Sequence, residues 1–133
     1  MNVENWNPSA PSTESSIDLE FLQRCLAMVQ AGQLEQIAER ISADDQHTQA
    51  PLLRVPQEQW TLILDKFSNE NLNQLLMFFV RAEMLLPGWE AEDHSPAIWI
   101  NKLLKARGER LSKDQLLWIR ANTNNHYIPN GRI

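Results

Sequence analysis

The chain has 133 residues and a formal net charge of −5, and 43% of its residues are hydrophobic while 22% are charged. This length suits one domain, and the composition excludes fibrous and wholly disordered proteins. The single cysteine, Cys25, excludes an intramolecular disulfide and has no neighbouring Cys or His that would complete a zinc site. We therefore predict a globular protein that works in the cytoplasm and needs no cofactor.

Neither a signal peptide nor a membrane span is expected. Residues 1–11 contain one acidic and no basic side chain, and no apolar run of signal-peptide length follows them. The most apolar stretch, residues 72–86, is interrupted by polar and charged residues such as Arg81 and Glu83, and it is too short to cross a bilayer. This stretch is instead predicted to form a core helix.

Residues 1–15 are predicted to be a disordered tail. The segment is rich in Pro, Ser and Thr, and Trp6 is its only large side chain, so it cannot bury enough apolar area to offset the entropy of ordering. Trp6 either rests on the folded part or anchors a partner. Residues 16–133 are predicted to form a single helical domain.

The first two predicted helices form a hairpin. Apolar residues recur at spacings of three and four over residues 16–32, with Ser15 or Ser16 as the N-cap, and the same period returns over residues 34–41. Residues 44–56 lack this period and contain two prolines. They are predicted to be an extended connection that its apolar side chains pin to the core.

The rest of the chain predicts up to four more helices. The first follows Pro56, and Ser68 either breaks or bends it before an apolar central helix over residues 72–86. Ser95, followed by proline, is typical of a helix start, and Ser112 opens a capping-box sequence ahead of the last helix. We predict an all-α fold, a single irregular bundle of five or six helices.

Charge is distributed unevenly along the chain. Residues 1–98 contain five basic and fifteen acidic side chains, whereas residues 99–133 contain seven basic and two acidic ones. Such asymmetry indicates either an electrostatic partner or the solvated outer faces of two helices that the acidic part attracts within the fold. The basic candidates for partner binding are Lys102, Lys105, Arg107, Arg110, Lys113 and Arg120.

If these side chains bind a ligand, phosphate is its natural chemistry, so nucleic acid is the alternative partner. Residues 96–122 have the outline of a helix-turn-helix. The fit is poor because the connection is longer than in that motif, and Asp114 lies where the recognition helix would begin.

The segment after the last helix, Asn122–Tyr127, concentrates hydrogen-bonding side chains where loops commonly carry recognition. Asn124, His126 and Tyr127 are therefore candidates for partner binding. The alternative is structural: asparagines end helices and occupy turns, and Tyr127, Ile128 and Ile133 tether the chain terminus to the core.

The acidic loop, Trp89–His94, also allows two interpretations. Trp89 either anchors a basic peptide within an acidic rim or fills a corner between helices. Glu92, Asp93 and His94 are adjacent in sequence and seldom converge on one ion, so no metal site is predicted.

No catalytic residue is predicted. Cys25 lies in the apolar stripe of the first helix, where a thiol is buried and its pKa is raised. The three histidines lie in predicted loops without a local nucleophile or carboxylate pair. The sequence therefore favours a protein-interaction or regulatory module without catalysis. Its expected partner is an unknown protein or a second copy of the chain, with nucleic acid as the alternative and no membrane.

Overall fold

The computed structural model describes residues 17–131, and these residues form seven α-helices and no strand. The all-α class is confirmed, with one helix more than the upper prediction, while the tail predicted for residues 1–15 lies outside the described range. Short 3₁₀ turns occur at 34–36, 50–54 and 92–94. The helices are α1 (Leu19–Gln30), α2 (Ile37–Arg40), α3 (Ala43–Gln49), α4 (Gln57–Leu64), α5 (Asn69–Leu85), α6 (Pro96–Ala106) and α7 (Lys113–Asn122).

The additional helix is α3, and the prediction of an extended connection is wrong for this part of the chain. Ser42 caps α3, since its Oγ accepts the Asp45 N–H at 3.1 Å, and Gln46 Nε2 donates to the Ile41 carbonyl at 2.8 Å. No residue of α3 is buried. The helix therefore has no apolar period that the sequence pattern could show, because hydrogen bonds rather than an apolar face hold it.

Serines begin the later helices. Ser95 and Ser112 cap α6 and α7 as predicted, and Ser68 caps α5, so the predicted interruption is a break between α4 and α5. The capping box is complete: the Gln115 N–H donates to Ser112 Oγ at 3.1 Å, and the Ser112 N–H donates to Gln115 Oε1 at 2.7 Å. Each cap satisfies a backbone N–H that would otherwise lack a partner in the first turn.

Helix α1 begins later than predicted. Its N-cap is Asp18, whose Oδ1 accepts the Phe21 N–H at 3.1 Å, whereas Ser15 and Ser16 lie outside the described residues. The positive end of the helix dipole also stabilises the negative charge of an aspartate at this position. The predicted apolar stripe is present, and its buried side chains are Phe21, Leu22, Cys25 and Leu26.

The core is built around α5, as its apolar circumference predicts. Helices α1, α2, α6 and α7 pack against α5, and α4 packs against α6. Trp60 and Phe78 each meet Phe79 edge to face, with ring centroids 5.6 and 5.3 Å apart. Every buried residue of α5 is apolar except Glu83. None of helices α1 to α7 is both long and apolar enough to span a bilayer.

Candidate functional site

The acidic loop and the C-terminal segment, which the sequence marks separately, meet at one cavity. Its volume is about 530 Å³, within the range of roughly 300–1,000 Å³ that is usual for ligand pockets. We call it the Glu83 cavity, after the buried residue of α5 among those that line it. The lining residues are Glu83, Met84, Glu90, Ala91, Glu92, Thr123, Asn124, Asn125, His126 and Tyr127.

Glu83 carries the unusual chemistry of this cavity. The residue is only 5% exposed, and its Oε2 accepts the Ser95 hydroxyl at 2.5 Å, while Oε1 is buried and receives no hydrogen bond from residues 17–131. Burial raises the pKa of Glu83 to about 8, because it disfavours the charged form. The polar side chains of Ser95 and Asn125 lower this pKa by smaller amounts. No hydrogen bond from Asn125 reaches Oε1. The carboxyl group is therefore mostly protonated at neutral pH.

The position of Glu83 follows from helical geometry. It lies three residues after Val80 and four after Phe79, both fully buried, so the carboxyl group shares their face of α5. Ser95 reaches it because the same hydroxyl that binds Glu83 caps α6 by accepting the Ala97 N–H at 3.1 Å. In the sequence, Glu83 is visible only as an interruption of an apolar stretch. Its spacing from Phe79 and Val80 is the signal that would have placed it inside.

Asn125 joins the two walls of the cavity. Its Nδ2 donates to the Glu92 carbonyl at 2.8 Å, and its Oδ1 accepts the Tyr127 N–H at 2.9 Å. Glu92 has a φ of 49°, a left-handed conformation that is strained for a residue other than glycine. The hydrogen bond from Asn125 thus fixes the C-terminal segment to the acidic loop at the loop's strained residue.

Further contacts hold the C-terminal segment against the body of the protein. Asn101 is buried in α6, and its Nδ2 donates to the Pro129 carbonyl at 3.0 Å, while the Asn124 N–H lies 3.5 Å from Met84 Sδ. The side chains of Asn124 and His126 remain exposed at the rim. The C-terminal segment is therefore tethered to the body of the protein, which is the structural alternative that the sequence allowed. The same contacts hold Asn124 and His126 at the rim of the cavity.

Trp89 does not belong to the rim. It is fully buried, its Nε1 donates to the Gln46 carbonyl at 2.9 Å, and its ring centroid lies 6.4 Å from that of Phe21. The indole thus fills the corner between α1, α3 and the acidic loop. Its interpretation as an exposed anchor for a basic peptide is corrected, because no indole surface faces solvent.

The basic candidates divide into two groups. Arg107 donates to the Phe67 carbonyl at 2.9 Å and to Asn69 Oδ1 at 2.8 Å, so it joins the end of α4 to the start of α5 and serves the fold. Lys105 donates to Asn130 Oδ1 at 3.2 Å. The remaining four are exposed and make no ion pair or hydrogen bond within the described part of the chain. They are Lys102, Arg110, Lys113 and Arg120.

Two tryptophans of the basic helix pair, residues 96–122, are half-buried. Trp99 and Trp118 both pack against the core, so they do not form a jointly exposed aromatic patch. On α7, Leu116 and Leu117 are the exposed apolar side chains. Nothing in residues 17–131 covers them.

The described residues offer no second site for metal or covalent chemistry. Within residues 17–131, no group of three or more His, Cys, Asp and Glu side chains is arranged to hold a metal ion. Cys25 is buried as predicted, and burial raises the pKa of its thiol far above the usual range, so it is a poor nucleophile. The Glu83 carboxyl group of the cavity can form a hydrogen bond as the neutral acid, and it can pair with a cation once its proton is released.

Comparison with known proteins identifies no relative: no family model matches the chain, and searches of curated proteins and of solved structures return no significant match.

Proposed function

We propose that the protein is a non-catalytic interaction module that recognises another protein through the Glu83 cavity. The observation that carries this proposal is the buried Oε1 of Glu83, which receives no hydrogen bond from residues 17–131 although Glu83 lines a cavity of ligand size. A buried polar atom without a hydrogen-bond partner costs about 1–3 kcal/mol. A ligand that supplies the partner recovers this cost, and recognition is the simplest reason for the fold to retain it.

The rim supports a protein partner. Glu90, Glu92, Asn124 and His126 are exposed on two adjoining loops, which is where a rigid scaffold commonly presents recognition residues. Two of these side chains are acidic, which favours a partner with a basic surface through electrostatic complementarity. The partner is either a different protein or a second copy of the chain, and with one buried, reduced cysteine we assign the interaction to the cytoplasm.

Binding is favoured over catalysis because the cavity lacks a second reacting group. A raised carboxyl pKa is also typical of general acids, which act together with a nucleophile or an activated water. Thr123 Oγ1 already accepts the Asn125 N–H at 3.0 Å, and the His126 ring lies 4.3 Å from that of Tyr127. Among the described residues, no group of three or more His, Cys, Asp and Glu side chains that could hold a metal ion accompanies Glu83.

Site-specific photocrosslinking in cells tests the proposal. A benzophenone amino acid replaces Asn124 on the rim, and the matched control carries it at Leu62, which is 72% exposed on α4 and does not line the cavity. We expect a discrete protein adduct from position 124 only, and its loss when Met84→Trp fills the cavity. Identical adducts from both positions, or an adduct that Met84→Trp leaves unchanged, would reject this function.

Nucleic-acid binding by the basic helix pair is the second candidate. Its supporting observation is the exposure of Lys102, Arg110 and Lys113, which have no ion pair or hydrogen bond with residues 17–131. Against it, Arg107 is engaged in the fold, and Asp114 is exposed in the first turn of α7. Fluorescence anisotropy of duplex DNA and single-stranded RNA decides between the two. Binding that weakens with salt and is abolished by changing these three residues to Glu would establish the second candidate.

A further inference from the structure

We infer that the Glu83 cavity binds the ammonium group of a lysine side chain that the partner presents, with Glu83 Oε1 as its acceptor. This inference rests on the proposed function and deepens it. It names the chemical group that enters the cavity and the covalent change that would block its entry.

The charge of the cavity favours a cation. Three carboxyl groups belong to the lining, those of Glu83, Glu90 and Glu92, and none of the described lining residues is Lys or Arg. His126 is the one lining residue of basic type in this set, and its side chain is exposed at the rim. Low-dielectric walls strengthen the attraction between a carboxylate and an entering cation.

The hydrogen bonds favour ammonium over guanidinium. Arginine binds a carboxylate best through two parallel bonds, one to each oxygen. Here Oε2 of Glu83 already accepts the Ser95 hydroxyl, and Oε1 is the oxygen that receives no hydrogen bond from residues 17–131. A lysine ammonium is a compact charge with three donors, so it can use one carboxylate oxygen and direct its other donors to polar groups of the walls.

The walls also suit the stem of a lysine. Met84, Ala91 and Tyr127 supply apolar surface beside the carboxyl group. Lysine side chains bury their methylene groups along such surface while the charged end seeks a polar partner. The carboxyl group of Glu83 is thus buried beside a cavity whose walls restrict which groups can enter. The exposed carboxylates elsewhere on the protein lack this restriction.

Binding of the cation is coupled to release of a proton. Burial keeps the pKa of Glu83 near 8, so at lower pH an entering ammonium group must displace a proton. Affinity should therefore rise about tenfold per pH unit below this value and then level off. The other groups that face the cavity are Glu90 and Glu92 of the acidic loop, His126 and Tyr127 of the C-terminal segment, and the uncharged Ser95 at the start of α6. His126→Gln is the control for the profile, because it removes the one side chain of basic type from the described lining.

The test is an NMR titration of the full chain with blocked tripeptides. We expect Gly-Lys-Gly to shift the amide resonances of Thr123, Asn125 and Tyr127 in a saturable manner. Gly-Arg-Gly should bind several-fold more weakly, and the acetyl-lysine peptide, which has the same stem without the charge, should not bind. Glu83→Gln mimics the neutral carboxyl group and should weaken the lysine peptide by about tenfold or more, whereas Glu58→Gln on the exposed face of α4 should not.

Several results would overturn the inference. These are an acetyl-lysine peptide that binds as well as the lysine peptide, a Glu83→Gln variant with unchanged affinity, and the absence of any saturable shift with Gly-Lys-Gly. If free n-butylammonium binds more tightly than the peptide, the ammonium group does not come from a partner protein, and the ligand is a small amine. If the peptides fail while the crosslink at position 124 remains sensitive to Met84→Trp, the choice of lysine is wrong and the interaction function stands.

Discussion

The Glu83 cavity and the basic helix pair are both regions of concentrated charge, yet the structure treats their charges in opposite ways. In the helix pair, Lys102, Arg110 and Lys113 are exposed to water. Arg107 instead donates hydrogen bonds to the Phe67 carbonyl and to Asn69 Oδ1, where α4 meets α5. In the cavity, the carboxyl group of Glu83 is removed from water, and one of its oxygens has no hydrogen-bond partner in the described part of the chain. An exposed cation costs almost nothing, whereas a buried polar atom without a hydrogen bond costs about 1–3 kcal/mol unless something binds it. The number of charges is therefore a weaker guide to a site than burial combined with an unmet hydrogen bond.

The largest expected effect comes from removing the residue that fixes the acidic loop to the body of the protein. Trp89→Ala deletes a fully buried indole and its hydrogen bond to the Gln46 carbonyl, and should lower the free energy of unfolding by about 3–5 kcal/mol. Chemical denaturation measures this loss. Trp118→Ala is the matched control and should cost less, since Trp118 is only half-buried. A loss at Trp89 no greater than at Trp118 would contradict the corner-filling role.

The next effect is a dependence of stability on pH that belongs to the cavity alone. The folded protein holds the Glu83 proton up to a pKa of about 8, whereas the unfolded chain releases it near the ordinary value of 4.5. The folded state thus binds more protons between these values, so Glu83's contribution to stability is complete below the lower value and is lost as pH rises through the higher one. The slope is about 1.4 kcal/mol per pH unit, or roughly 3 kcal/mol between about pH 5.5 and 7.5.

Comparing Glu83→Gln with the unchanged protein over this range isolates that contribution. The variant should lose the slope and become the more stable protein at the alkaline end, as measured by urea unfolding at each pH. Glu90→Gln, at an exposed position on the same cavity, should retain the wild-type slope. Parallel pH profiles for Glu83→Gln and the unchanged protein would show that the carboxyl group is not desolvated.

A smaller effect divides the basic helix pair itself. Arg107→Ala removes a charged donor from the Phe67 carbonyl and Asn69 Oδ1 and should cost about 1.5–3 kcal/mol of unfolding free energy. Arg110→Ala, three residues along the chain and exposed, should change it by less than about 0.5 kcal/mol. Thermal or denaturant unfolding of the two variants in parallel gives the difference. Equal losses would mean that Arg107 does not join α4 to α5 in solution.

The smallest effect on stability is expected for the exposed basic side chains of the helix pair, which carry charge but make few contacts. The double change of Lys102 and Lys113 to Glu should alter stability by less than about 0.5 kcal/mol per site and leave the crosslink from position 124 unchanged. A lost crosslink would transfer partner binding from the cavity to the helix pair.

Much of the fold can be predicted because its determinants are local. Ser95 and Ser112 begin helices through contacts within the first turn, and the apolar circumference of α5 reports its central position. Helix α3 is missed because it has no buried face, and its hydrogen bonds from Ser42 and Gln46 leave no apolar period.

The cavity is harder to predict because it depends on contacts between distant residues. The sequence pattern indicates Asn124, His126 and Tyr127 and, separately, the acidic loop. The hydrogen bond from Asn125 to the Glu92 carbonyl that joins them spans 33 positions. Glu83 escapes notice because a single charge in an apolar helix is more often solvent-exposed. Only the packing of α5 against the start of α6 shows that this carboxyl group is enclosed.

The most direct test of the account is an NMR titration of the Glu83 side-chain carboxyl group in the unchanged protein, with and without blocked Gly-Lys-Gly. We predict a midpoint near 8 for the protein alone, because burial disfavours the charged carboxylate, and a lower midpoint with the peptide, because a bound ammonium group stabilises it. A midpoint near the ordinary value of 4.5, unaffected by the peptide, would contradict the claim that Glu83 is a buried acceptor awaiting a partner.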